Sequence, residues 1–161
     1  MSFKNHRKQS FLDRFPTASL DSPEDKIASL CKFNFSYFTH DQPAGQNFSD
    51  WTEVQLQKLL DKLVNYSKKP LVQWEKEKIG QGKNHVLEVY GSFPKKSDFT
   101  QPKHIPHQAK WARFRLEGSV RLIGFVIPDD FNKKEQNKSS YNFCSNTFYI
   151  VFLDKDHNFY K

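Results

Sequence analysis

Basic side chains are concentrated between residues 95 and 121, in a pattern typical of surfaces that bind nucleic acid. This stretch holds seven lysine and arginine residues against two carboxylates, a net charge of +5 in a chain of 161 residues with a formal net charge of +7. Cations neutralise phosphates and aromatic rings stack on unpaired bases. A basic protein whose lysines merely face solvent, or one that binds an acidic protein, is the alternative. Our candidate nucleic-acid-binding residues are Lys103, Lys110, Trp111, Arg115 and Lys155.

His157 is the candidate for proton transfer, because histidine is the side chain whose charge changes near neutral pH without special tuning. It ends an Asp-x-Asp-His run that starts at Asp154. Carboxylates and imidazole could hold a divalent metal. Ligands so close in sequence rarely reach one ion without a further carboxylate, and nothing in the sequence brings Asp129 or Asp130 nearby. We therefore expect no metal and no cofactor, with a structural turn histidine as the competing interpretation.

Strands must position these residues, since the C-terminal third has β patterning. Residues 110–116 alternate, 120–127 are apolar and β-branched, and the turn residues Glu117 and Gly118 lie between them, which predicts a hairpin. Residues 147–153 are apolar on both alternating faces, which indicates a central strand covered on both sides. Residues 32–38 alternate aromatic and polar and predict a further strand.

Two helices are predicted between these strands. Asp50 is a good N-cap for a helix over 50–66, and a second, shorter helix is expected over 71–79. The first helix has an apolar stripe that we expect to pack on the sheet, formed by Leu56, Leu59, Leu60, Leu63 and Val64. The predicted fold class is α+β, with two helices packed on an antiparallel sheet.

The remaining segments define the domain organisation. Residues 1–21 are polar and basic and predict a flexible N-terminal arm, and 22–161 predict a single α+β domain with long loops at 91–109 and 128–146. Residues 86–90 favour one more short strand.

The register of the hairpin decides whether its arginines form a site. A two-residue loop at Glu117-Gly118 would pair Phe114 with Arg121 and put that arginine on the apolar face. A three-residue loop, 116–118, pairs Arg113 with Arg121 instead. We expect the second register, because burying an unpaired arginine among core aromatics costs several kcal/mol. One face then carries Arg113, Arg115, Ser119 and Arg121.

Composition also bears on the location of the protein. Its apolar runs are far shorter than the ~20 residues that span a bilayer. Residues 1–20 are interrupted by charges and lack the apolar centre of a secretory signal. Cys31 and Cys144 have no ligand-like spacing, so neither a disulfide scaffold nor a zinc site is expected. We expect a cytoplasmic protein with no membrane partner.

Two segments resemble the RelE/HigB/ParE superfamily of small bacterial toxins: 113–125 (RFRLEGSVRLIGF) and 148–160 (FYIVFLDKDHNFY). In that family a basic strand turns into a strand that opens on arginine, and a later apolar strand leads to a histidine followed by an aromatic residue. The predicted order of elements is similar as well. The chain departs from compact members in its N-terminal extension of about 30 residues and its long insertions.

The resemblance implies an endoribonuclease that cleaves RNA without a metal, using the 2′-hydroxyl as nucleophile. Arg113 and Arg121 would neutralise charge on the phosphorane, assisted by Arg115 and Lys155, while His157 would exchange protons. Tyr160 would stack on a base or orient the phosphate. The implied partners are RNA and an antitoxin protein. Two other functions stay open, since the fold also includes gyrase inhibitors: a non-catalytic nucleic-acid-binding module, and a protein that acts by binding a protein partner.

Overall fold

The structure is a computed structural model that describes residues 6–16 and 18–161, and these form a mixed α+β fold. The helices are α1 (His6–Leu12), α2 (Glu53–Tyr66) and α3 (Leu71–Lys76). The strands are β1 (Lys32–Asn34), β2 (Leu87–Gly91), β3 (Lys110–Glu117), β4 (Val120–Val126) and β5 (Thr147–Asp154). Helix α1 lies within the expected N-terminal arm, 1–21. Residues 1–5 and 17 of that arm lie outside the described residues.

One sheet holds the five strands in the order β1-β5-β4-β3-β2. The three pairings among β2, β3, β4 and β5 are antiparallel, but β1 runs parallel to β5, with Phe33 opposite Phe148. The prediction of a purely antiparallel sheet is therefore wrong, and the sheet is mixed. An alternating pattern identifies a strand and its buried face, but it carries no information about the direction of a distant partner.

The first strand is also shorter than the predicted 32–38. It ends at Asn34, whose side-chain Oδ1 accepts a hydrogen bond from the backbone N–H of Ser36 at 2.8 Å. Such a side-chain bond to the backbone two residues ahead closes a turn. The aromatic residues Phe35, Tyr37 and Phe38 therefore lie in or beside a turn and not in a strand.

Helix α2 begins later than predicted, and its buried stripe is different. Thr52 is the N-cap, in a reciprocal capping box with Gln55, and the helix starts at Glu53 rather than Asp50. Leu59 is 3 % exposed, but Leu60 is 55 % exposed, so the expected packing of Leu60 on the sheet is wrong. The side chains of the helix that face the core are those of Leu56, Leu59, Leu63 and Tyr66.

The second predicted helix, 71–79, ends at Lys76. Glu77 is extended, and its carbonyl accepts a hydrogen bond from the N–H of Val86 at 2.9 Å. This bond joins the residue after the helix to Val86, the residue before β2.

The hairpin has neither of the registers considered above. Arg121 pairs with Arg115, while Arg113 pairs with Ile123, and the turn residues are Gly118 and Ser119. An irregularity between Arg115 and Glu117 keeps Leu116 buried. The expected pairing of Arg113 with Arg121 is wrong by two residues, yet all three arginines share one face, because a shift of two preserves the alternation.

The sheet is covered on both faces. On what we call the helix face, α2 and α3 contribute Leu59 and Trp74 to a core that includes Phe114 and Phe148. The opposite face, here the loop face, is covered by residues 91–109 and by the C-terminal tail, 155–161. Its core residues are Phe99, Ile105, Trp111, Ile123, Phe125, Val151, Phe152 and Phe159.

The segment 128–146 is folded back on itself. Its first turn is a 3-10 helix, Asp129–Phe131. The N–H of Lys133 donates to the carbonyl of Phe143, and the N–H of Phe143 donates to the carbonyl of Lys134, both at 2.9 Å. These bonds join the two arms of the segment to each other. None of the helices in the described ranges is long and apolar enough to cross a membrane.

Candidate active site

A small, tightly packed cleft on the loop face, with no internal volume large enough for a water molecule, brings together the four residues predicted to be catalytic. Arg113 comes from β3, Arg121 from β4, and His157 and Tyr160 from the tail after β5. The cleft is completed by residues that do not figure among the predicted catalytic set: Tyr90, Ile123, Asp154 and Phe159.

Strand pairing explains this convergence. Arg121 lies directly opposite Asp154, the last residue of β5, so the tail leaves the sheet beside the arginine. Residues paired across strands share a face, and Arg113 lies on the same face one pair further along. The site therefore depends on three adjacent strands and on where the last of them ends.

The side chain of Arg113 is 7 % exposed, and only some of its N–H donors have hydrogen-bond partners. Its Nε donates a hydrogen bond to the hydroxyl oxygen of Tyr90 at 2.7 Å, while its Nη1 is buried without a partner among the described residues. Glu88 is its neighbour across the strands. That carboxylate instead accepts a bond from the backbone N–H of His85 at 2.8 Å.

Arg121 is 6 % exposed and anchored at one end only. Its Nη1 donates to the carbonyl oxygens of Gly118 at 2.6 Å and Val120 at 3.0 Å, whereas its Nε is buried with no partner in the described part of the chain. Burial, reinforced by the charges of Arg113 and Arg115, lowers the pKa of Arg121 to about 10. The guanidinium is thus still charged at neutral pH, but at a cost in free energy.

The site has an excess of buried positive charge. Among the described residues, no ion pair involves Arg113 or Arg121. The one buried carboxylate in the cleft, that of Asp154, accepts hydrogen bonds from the backbone N–H groups of Asn158 and Phe159, both at 2.9 Å. A buried cation without a matching anion is unfavourable. The carboxylate of Asp154, opposite Arg121, offsets part of this charge. The unpaired guanidinium nitrogens would meet the oxygens of an anion such as a phosphate only after the closely packed side chains of the cleft move apart.

His157 is held at the cleft by an unusual backbone conformation. Its φ is 62°, in the left-handed region that non-glycine residues seldom adopt. The bonds to Asp154 fix the turn from one side, and the N–H of Asp98 donates to the carbonyl of Asn158 at 3.0 Å from the other. Strain of this kind persists only where surrounding contacts impose it, and it is frequent at functional sites.

Two stacked tyrosines form one side of the cleft. The rings of Tyr90 and Tyr160 are 5.0 Å apart and nearly parallel, at 3°. Burial raises the pKa of Tyr90, an effect that the nearby Arg113 opposes. Tyr160 is half exposed, so one face of this aromatic pair is open to a ligand.

The predicted nucleic-acid-binding residues are not gathered at this cleft. Trp111 is 1 % exposed and packs among Phe93, Phe152 and Phe159, so its proposed role in base stacking is wrong for a ring enclosed on all sides. Lys110 lies at the far end of β3, opposite Val126.

The other three are exposed or partly exposed cations. Lys103 lies in the 91–109 segment and lines a separate cleft with His104. Arg115 is half-buried beside Arg121, and Lys155 is exposed next to the hairpin, where its carbonyl accepts a bond from the Ser119 hydroxyl at 2.8 Å. Only Arg115 and Lys155 therefore extend the positive charge of the cleft.

Sequence reasoning did not identify the roles of Tyr90 and Asp154. Tyr90 lies two residues after Glu88, which pairs with Arg113, so regular alternation places it on the loop face. What no local pattern shows is that β2 pairs with β3. In the sequence Asp154 stands out only as a candidate metal ligand. Asp154 is the last residue of an apolar strand and is followed by a polar turn. This position could have predicted that its carboxylate accepts backbone hydrogen bonds from the turn.

The described residues contain no group of three or more His, Cys, Asp or Glu side chains arranged to hold a metal ion. Comparison with known proteins found no family model, no curated protein and no solved structure that matches this chain.

Proposed function

We propose that this protein is a cytoplasmic, RelE-like endoribonuclease that binds RNA and cleaves it without a metal ion. The observation that supports this proposal is the pair of buried guanidinium groups, Arg113 and Arg121, each with an unpaired nitrogen, in the same cleft as His157. A phosphodiester would add negative charge and oxygen acceptors for the unpaired nitrogens, and its entry requires the cleft, which is closed in the structure, to open.

The reaction is an internal transesterification. The 2′-oxygen of the ribose forms a bond to the adjacent phosphorus and the bond from phosphorus to the 5′-oxygen breaks, which leaves a 2′,3′-cyclic phosphate and a 5′-hydroxyl. The 2′-hydroxyl loses a proton and the 5′-oxygen gains one. His157 performs one of these two transfers. Arg113 and Arg121 stabilise the extra charge on the phosphorane, and their fixed hydrogen bonds to Tyr90 and to the hairpin turn preorganise them.

Incubation of the full chain with single-stranded RNA in the presence of a chelator tests the proposal. Wild-type protein should produce fragments ending in a 2′,3′-cyclic phosphate. His157→Ala should slow cleavage by about 100-fold or more, since a positioned acid or base contributes about 10²–10⁴-fold. The matched control is His107→Ala, which removes an exposed histidine from the 91–109 loop and should cleave like the wild type.

The outcomes separate the alternatives. RNA binding at low salt with no cleavage would contradict the endonuclease and leave a non-catalytic nucleic-acid-binding module. Failure to bind RNA at all would contradict both and leave a protein partner, such as an antitoxin, as the target.

A further inference from the structure

A second cleft on the loop face, about 320 Å³ in volume, has a lining unlike that of the arginine site. It lies where the folded 128–146 segment meets the ends of β4 and β5. One side is formed by Phe125 and Tyr149, whose rings stack at 4.8 Å and 7°, with Tyr37 edge-on to both. The lining also includes Phe131 and Phe143, whose rings meet edge to face at 5.5 Å. Five aromatic rings therefore contribute to the surface of the cleft.

The polar groups in this cleft are neutral amides with free hydrogen-bonding capacity. Gln108, Gln136 and Asn142 line it, and none of their side-chain amides has a hydrogen-bond partner among the described residues. No Asp, Glu, Lys, Arg or His is part of the lining. The cleft therefore suits a flat, uncharged molecule whose edge carries donors and acceptors, rather than a phosphate.

Cations lie beside the cleft rather than in it. Lys134 has its Nζ over the ring of Phe131, 5.6 Å from the centroid, and Lys110 is exposed opposite Val126 at the adjoining end of the hairpin. Phosphates that flank a base held in the cleft would meet these lysines.

From these features we propose that the cleft binds one unpaired nucleobase of the RNA, a proposal that rests on the function proposed above. Unpaired bases stack on aromatic side chains and are read at their edges by side-chain amides. Phe125 lies four residues from Arg121 on β4 and on the same face, so the two sites are separated by about 13 Å at ~3.3 Å per residue. A short single strand can engage both. The cleft then selects which base lies at a set distance from the cleaved bond.

Nucleoside binding tests the cleft independently of cleavage. Adenosine, guanosine, cytidine and uridine are titrated separately into isotopically labelled full chain, and amide chemical shifts are followed by NMR. At least one nucleoside should shift the signals of Phe125, Tyr149 and Asn142, whereas ribose 5-phosphate should leave them unchanged. Absence of any nucleoside-dependent shift in these residues would overturn the proposal.

Two variants report on the amides. Gln136→Ala and Asn142→Ala change exposed side chains, so both should fold like the wild type, and each should weaken nucleoside binding by about tenfold. Gln101→Ala removes a matched exposed amide in the 91–109 loop outside the cleft and should bind as the wild type does. Equal affinity in all three variants would overturn the proposal.

Cleavage mapping distinguishes this proposal from the endonuclease itself. If RNA is cut, the two cleft variants should cut with a relaxed base preference, whatever the change in their overall rate. An unchanged base preference would overturn the cleft. Nucleoside binding by a protein that does not cut RNA would support the cleft and contradict the endonuclease.

Discussion

The buried arginines have opposite consequences for stability and for binding. Arg121 is enclosed with an unpaired Nε, and burial together with its neighbouring cations lowers its pKa to about 10, well below its usual value. Below about pH 10 this guanidinium is charged in both the folded and the unfolded states, so the full cost of burying the charge is present at neutral pH. The free energy of unfolding gains from this group only as pH rises above about 10, where the unfolded chain holds the proton more tightly.

Arg121→Met should therefore stabilise the free protein and abolish its binding of anions. Replacing a poorly paired buried charge by an apolar side chain of similar length is neutral to stabilising, and we expect a gain of about 1 kcal/mol. Thermal unfolding measures this change, with the exposed Arg14→Met as control, which should stay within about 0.5 kcal/mol of wild type.

Added inorganic phosphate extends the same experiment. It should raise the unfolding temperature of the wild type through preferential binding to the folded state, and have less effect on Arg121→Met. A variant destabilised by more than 1 kcal/mol would show that Arg121 is paired in the fold and would count against an anion site.

Asp154 holds the tail in place through two backbone bonds. It is 1 % exposed, and its two carboxylate oxygens accept from the N–H groups of Asn158 and Phe159. Asp154→Asn keeps one oxygen acceptor but turns an amide N–H towards the other backbone donor. That backbone N–H and the amide N–H are then both without an acceptor, so the change should cost about 1–3 kcal/mol. Asp156→Asn, at an exposed position two residues later, is the control in urea unfolding. Equal stability of the two variants would mean that the turn does not depend on the carboxylate.

At the scale of the elements, two adjacent leucines of α2 show which side of this helix packs on the sheet. Leu59 is buried against the sheet, while Leu60 is more than half exposed. Leu59→Ala should cost about 2–5 kcal/mol because it opens a cavity. Leu60→Ala should cost under about 0.5 kcal/mol. Chemical denaturation of the two variants side by side measures the difference in the free energy of unfolding. A larger loss of stability for Leu60→Ala would mean that Leu60, and not Leu59, faces the core.

The β4–β5 pairing requires a glycine at position 124. A Cβ added there would lie 2.1 Å from the carbonyl oxygen of Tyr149 and 2.7 Å from the ring of Phe148. Gly124→Ala should therefore force the strands apart and cost about 3 kcal/mol or more, at the upper end of overpacking effects. Gly82→Ala is the matched control, since its Cβ would meet nothing closer than 3.7 Å. A thermal melt of Gly124→Ala that coincides with that of the control would refute this strand pairing.

For the molecule as a whole, the tail and the 91–109 segment stabilise the same core that supports the cleft. Phe159 is buried against Phe93, Phe99 and Trp111, whereas the terminal ion pair between Lys161 and Asp98 is half exposed. Phe159→Ala should cost about 3–5 kcal/mol. Lys161→Ala should cost no more than about 1 kcal/mol, because exposed ion pairs contribute little. Unfolding by denaturant distinguishes the two, and a small loss for Phe159→Ala would mean that the tail is not part of the core.

Local pattern was sufficient for most of the elements. Apolar patterning located β3, β4 and β5 within a residue or so, because buried strands show as short apolar or alternating runs. The same patterning placed Arg113 and Arg115 on one face, whereas the face of Arg121 depended on the register of the hairpin. Helix boundaries were less accurate, since Thr52 rather than Asp50 makes the capping bonds.

The amino-acid sequence by itself determined the chemical inventory of this protein: the excess of cations around the hairpin, the single histidine after the last strand, and the α+β class of the chain. Only the tertiary structure decided what those residues meet. The parallel pairing of β1 with β5, the two-residue slip of the hairpin, the enclosure of Trp111, and the arrival of Tyr90 beside Arg113 all depend on contacts between distant segments. Periodicity encodes which face of a strand is buried, but the partner, the register and the satisfaction of each buried polar atom follow from how the whole chain packs.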